Sequence, residues 1–245
     1  MSARYRQLFS HPFAGPLPWL MLATAFRIIH LTDPKAVISF QIAQISIFIA
    51  FLIAAQRLIE IAGGKTSLRS WHLGAQVGSG VRILGRLAVL VAAAGFCAAM
   101  LGDYSFAWEI FYGIDGIAFD GTGVRPKVIS GLLAALILLM VLQVDRGEAS
   151  SLVGAGREFF SRIKYLGPAI IAITVFLIAF SGLQGVVRRP MYAFWSEAPL
   201  NLYFRTLIYF AFVLGFASIR LWVVLAIVIF SLRQSYRAQN TITDV

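Results

Sequence analysis

Apolar runs of about twenty residues, separated by short polar connections, recur along the chain. A helix needs roughly 20 mainly apolar residues to cross a bilayer, so the pattern predicts six spans, near 13–32, 36–56, 84–102, 127–144, 166–186 and 204–232. The last run is about 43 Å long as a helix. That is too short for two crossings, so it is one long or tilted span. The expected fold is all-α: a polytopic transmembrane helix bundle, with residues 1–245 forming a single integral membrane domain.

Three passages resemble copies of one unit, each with a basic lead followed by a glycine at the mouth of a span: RQLFSHPFAGPLPWL, SGVRILGRLAVLV and REFFSRIKYLGPAII. The first and third share Arg-x-x-Phe-Ser (from Arg6 and from Arg157) and Gly-Pro (Gly15-Pro16 and Gly167-Pro168). In the third lead, Leu152, Ala155, Phe159 and Ile163 fall on one side at helical spacing, while Arg157, Arg162 and Lys164 are placed to reach headgroups. The unit predicted is a short cytoplasmic interfacial helix, a span, an outer loop and a returning span. Three such hairpins make the bundle.

Composition agrees with the pattern: 59% of the 245 residues are hydrophobic, 13% are charged, and the mean hydropathy is +0.81. Soluble domains carry about 25% charged residues. Little chain is left for a separate soluble domain. Thirteen Lys and Arg fall on one set of connections, six on the other, and Arg27 and Arg220 lie inside spans. By the positive-inside rule both termini are cytoplasmic, in a bacterial-type inner membrane. The net charge of +10 is then an orientation and headgroup signal rather than a nucleic-acid footprint. One cysteine, Cys97, precludes a disulfide within the chain and is read as packing. Three dispersed histidines support neither a haem pair nor a typical zinc site, and no cofactor is implied.

Arg220, inside FAFVLGFASIRLWVVLAIVIF, is the most costly residue, at about 2.5–3.5 kcal/mol on insertion scales. No carboxylate lies mid-span. Its compensation is therefore expected from an anionic ligand or lipid, an acid on a partner subunit, a water-filled cavity, or internal acceptors such as Gln41, Gln44 and Ser181. Small residues Ala211, Gly215 and Ser218 opposite Ala217, Arg220 and Val224 suggest two protein-facing sides on this helix. Arg27 and His30, one turn apart near the end of the first span, either anchor it at the interface or join Asp33 in a polar cluster. Arg220, Arg27, His30, Gln41 and Gln44 are the candidate ligand-binding residues.

The connection DYSFAWEIFYGIDGIAFDGTGVRPK alternates acids with aromatics, and its spacing matches no calcium loop. It reads as an interfacial aromatic belt with turns, or as a docking surface formed by Tyr104, Trp108, Glu109, Tyr112, Asp115 and Asp120. No P-loop, GxSxG, HExxH or Asp-rich diphosphate motif is present, and no in-span carboxylate suits cation coupling. Two expectations follow. The first is a non-enzymatic protein handling an anionic or amphipathic ligand, as a small permease, channel or membrane subunit of a transport complex. The second is an accessory or assembly subunit that docks a partner membrane subunit through its outer loops and Arg220. Membrane lipids are expected neighbours in both.

Overall fold

The computed structural model describes residues 14–32, 37–61, 73–111, 113–121, 123–197 and 201–243. It comprises eight α-helices among the described residues: α1 (Leu17–Thr32), α2 (Val37–Ile61), α3 (Leu73–Met100), α4 (Tyr104–Phe111), α5 (Arg125–Asp145), α6 (Leu152–Ser161), α7 (Ile163–Glu197) and α8 (Leu202–Thr243). A single 3-10 turn, Asp115–Ile117, interrupts the connection between α4 and α5. No strand occurs among the described residues. Five helices are long and apolar enough to cross a membrane, within α2, α3, α5, α7 and α8, and α1 is a shorter apolar helix. The chain is a multi-pass helical membrane protein.

α5 forms the centre because it is apolar all round, and such a helix cannot present any face to water. Every residue from Leu133 to Val141 is buried. Lipid tails are as apolar as leucine, so what holds this core is close packing rather than water exclusion. α8 contributes Ala217, Leu221, Val224, Leu225 and Val228 on one face. Its opposite face departs from expectation: Ala211 and Gly215 are exposed, so the small-residue stripe looks outward. α3 and α7 are mostly exposed, consistent with lipid contact. Cys97 is exposed on α3 rather than packed in the core.

Helix ends depart most from the sequence expectation. α7 and α8 each run about ten residues beyond the C-terminal ends of the expected 166–186 and 204–232. Among the described residues, the third interfacial lead forms a separate helix, α6. The second is continuous with α3, and most of the first lies outside the described residues.

α6 is capped by Ser151, whose hydroxyl accepts from Gly154 N–H, and its Ala155 and Phe159 are buried as the spacing predicts. Ile163 starts α7 instead and is exposed. α6 is fastened to the ends of α5 and α8 by a charged clamp. Arg146 donates to Glu158 at 3.2 Å, Arg162 pairs with Glu158 at 3.4 Å and stacks on the Tyr236 ring at 3.9 Å, and the Tyr236 hydroxyl donates to Glu158. Burial alone would raise the Glu158 carboxyl, but hydrogen bonds from Tyr236 and Arg146 and the charges of Arg146 and Arg162 hold it below the usual range. The contribution of Glu158 to stability is therefore complete above its ordinary value of 4.5 and is lost as the pH falls further. Glu158→Gln should cost about 1–2 kcal/mol and speed amide exchange across α6 roughly 5–30-fold; unchanged exchange would show that the clamp holds nothing.

Candidate functional site

The connection between α4 and α5 does not lie on the surface as a belt. Gly113 to Phe119 fold inward and pack against α2, α5 and α8, with Ile114, Asp115, Ile117, Ala118 and Phe119 buried. Irregular backbone buried in a bundle needs hydrogen-bond partners, and neighbouring helices supply them. Ser130 Oγ on α5 lies within bonding distance of the carbonyls of Gly113 (2.9 Å) and Pro126 (2.8 Å). Lys127 Nζ donates to Gly121 O at 2.6 Å and Gly123 O at 3.0 Å. Gly123, at φ +90°, takes a conformation that other residues strain to adopt. A Cβ on Gly116 would overlap the Ser130 hydroxyl. Gly116→Ala should therefore destabilise the folded protein by about 1–3 kcal/mol, read as a lowered melting temperature in detergent.

Arg220 is 1% exposed and finds its counter-charge here. Its guanidinium donates to Phe119 O at 2.7 Å and Gln184 Oε1 at 3.0 Å, and reaches Asp120 Oδ1 at 3.4 Å and Ser181 Oγ at 3.4 Å. Ser181 also donates to Asp120, and Lys127 Nζ stands 3.8 Å from the same carboxylate. The ring of Phe180 lies 5.7 Å from the guanidinium carbon. The expectation that this chain lacks an acid for Arg220 is thus corrected: Asp120, a hundred residues away in sequence, is folded against it. The loop residue counted towards a docking surface serves as an internal partner.

A second pair lies beside the first. Arg27 Nη2 meets Asp115 Oδ2 at 3.1 Å, with side-chain exposures of 17% and 6%, so Arg27 is no plain interfacial anchor. His30 packs its ring on Phe40 at 5.1 Å. Burial pushes the Asp115 carboxyl up to about 6, against the lowering pull of Arg27 and, after it, His30 and Arg220. Asp33 and Tyr112, named in the sequence reading, lie outside the described residues.

Gln41 and Gln44 do not reach Arg220. They line a cleft of about 500 Å³ between α2 and α3, roofed by α4, together with Ile45, Leu84, Ala88, Val91, Ala92, Gly95, Trp108 and Ile114. No lining residue is charged, and the two amides and the indole of Trp108 are its main polar groups. Exposed Ile45, Ala88 and Ala92 mark the side on which the cleft opens between two candidate spans. Of the expected docking residues, Tyr104 and Trp108 are exposed, Glu109 is half-buried, and Asp115 is buried.

The site residues thus divide into two arrangements. One is a polar knot of Arg27, Asp115, Asp120, Lys127, Ser181, Gln184 and Arg220. The other is an apolar cleft with two glutamines. The turn at 113–120 belongs to both, through Ile114 on the cleft side and Phe119 and Asp120 on the other. Asp115, Lys127 and Gln184 were missed as partners. Only the unbalanced charge of Arg220 hinted that some acid must be near. No protein-family model, curated protein or solved structure matches this chain.

Proposed function

We propose that this is a non-enzymatic protein of a bacterial-type inner membrane, with six spans in three hairpins and cytoplasmic termini, that takes up an amphipathic molecule. It acts as a small permease, a channel or the membrane subunit of a transport complex. The observation that carries this reading is the cleft of about 500 Å³ between α2 and α3. Pockets of this size suit small ligands, and a mostly apolar lining with a few polar groups fixes their orientation. An uncharged, hydrogen-bonding head on an apolar chain fits this lining. A bare anion does not, because it would be desolvated with no cation beside it. Arg220 does not serve as the anion's partner in this reading, since its charge is balanced by Asp120.

The test is native mass spectrometry of the gently extracted protein. A retained mass of lipid size on the wild type, absent from a variant with the cleft filled, supports the proposal. Wild-type protein that never carries such a mass defeats it.

The accessory-subunit reading keeps one specific observation in its favour. α7 and α8 expose large apolar side chains at the end where they join, including Tyr192, Phe194, Leu202, Tyr203, Phe204 and Leu207. Its Arg220 component is replaced by the Asp120 pair, and a co-purifying protein in the same spectra would argue for the docking component.

A further inference from the structure

Asp115 is buried and in contact with a cation, yet it is only half satisfied. Oδ2 faces Arg27 at 3.1 Å, whereas Oδ1 is buried with no hydrogen-bond partner among the described residues. His30 Nδ1, one turn from Arg27 on α1, is also buried without a hydrogen-bond partner among the described residues. A carboxylate with one unbonded, water-excluded oxygen is poorly stabilised, while the protonated acid needs less solvation. Asp115 sits at the start of the 3-10 turn, next to Ile114 of the cleft wall and four residues before Phe119, whose carbonyl holds Arg220. Its own carbonyl closes the turn by accepting from the N–H groups of Ala118 and Phe119.

We propose that Asp115 is a reversible proton-binding site: uptake of one proton from water neutralises the buried carboxyl beside Arg27 and tightens the 113–120 turn, and release of that proton leaves a half-bonded carboxylate that loosens it. No group is consumed, and the proton returns to water when the pair re-forms. The surroundings are defined from each side. α1 presents Arg27 and His30, α8 presents Arg220, and α5 presents Lys127 beside Asp120. α2 offers no charge at this end, since Arg57 and Glu60 lie in its last turns and pair with each other at 3.3 Å. The groups facing Asp115 directly, Arg27, His30 and Arg220, therefore include no second acid. They restrain protonation without preventing it, because burial is the larger effect. The raised carboxyl means that the folded form holds a proton that the unfolded form has released between about 3.8 and 6. The contribution of Asp115 to stability therefore falls as the pH rises through that window.

The experiment is infrared difference titration of the full chain in lipid nanodiscs. A buried protonated-carboxyl band should disappear with a midpoint near 6. It should be lost in Asp115→Asn and kept in Asp120→Asn and Glu109→Gln. In Arg27→Gln the midpoint should move upward, because a lowering charge is removed. Arg27→Lys should restore it towards the wild-type value. In the wild type, amide exchange over 113–120, corrected for its intrinsic pH dependence, should be slower at pH 5 than at pH 7, with no such difference in Asp115→Asn. A band unaffected by Asp115→Asn, or a midpoint that ignores Arg27, overturns the proposal. Should Asp115→Asn fail to fold, the Arg27 pair of variants decides alone. The outcome is independent of whether any molecule occupies the cleft.

Discussion

Arg220→Leu lowers the melting temperature of the detergent-extracted protein by roughly 6–12 °C, corresponding to about 3 kcal/mol at ~2–4 °C per kcal/mol for a chain of this size. Stranded partners set this cost. With the guanidinium gone, the buried carbonyl of Phe119 loses its donor and Gln184 loses its nearest partner. An unsatisfied buried group costs about 1–3 kcal/mol, and a broken buried ion pair about 3–5 kcal/mol. The expected value stays at the lower end because Asp120 is 36% exposed and keeps Ser181 and Lys127. Asp120→Asn alone should cost less, and the double variant should lose less than the sum of the two, since the groups share a network. A melting temperature unchanged in Arg220→Leu would mean that the knot contributes no stability. A variant of normal stability that loses bound ligand would instead return Arg220 to the ligand's side.

Filling the cleft is the second change with a large consequence. Ala92 is exposed on the wall formed by α3, so Ala92→Trp places an indole in the cleft with stability altered by no more than about 0.5 kcal/mol. The co-purifying mass should disappear. Ala93→Trp, one residue along and not part of the lining, should keep it. Gln44→Leu removes a polar group from a cleft that has few, which leaves a ligand head unpaired at about 1–2 kcal/mol and weakens binding roughly 5–30-fold. Identical occupancy in all three variants would place the bound molecule elsewhere on the protein.

The apolar runs foretold the membrane helices well where lipid or core surrounds them on every side. α5 was expected at 127–144 and spans Arg125–Asp145, because nothing but an all-round apolar stretch can form such a helix. α6 was legible from Leu152, Ala155 and Phe159, since period and charge placement both depend on its neighbours in sequence. The connection at 103–124 was not. Acids, aromatics and glycines look alike whether they cover a surface or fold inward, and what distinguishes the two is Ser130, Lys127 and Arg220 waiting on other helices. Asp120 is not an in-span acid, because a loop returning into a bundle brings its charge to a span without being part of one. Helix overrun in α7 and α8 was hidden for another reason: Arg188, Arg189, Arg233 and Arg237 interrupt hydropathy but not helix formation, since arginine is a good helix former.

The sideways mouth between α2 and α3 changes what concentration means for any occupant. Under the proposed uptake, a molecule dissolved in the membrane would reach Ala88 and Ala92 without passing through water, so its supply would be set by its mole fraction among the lipids. Adding empty vesicles at constant total amount would then dilute it and strip the protein, even though the bulk volume has hardly changed.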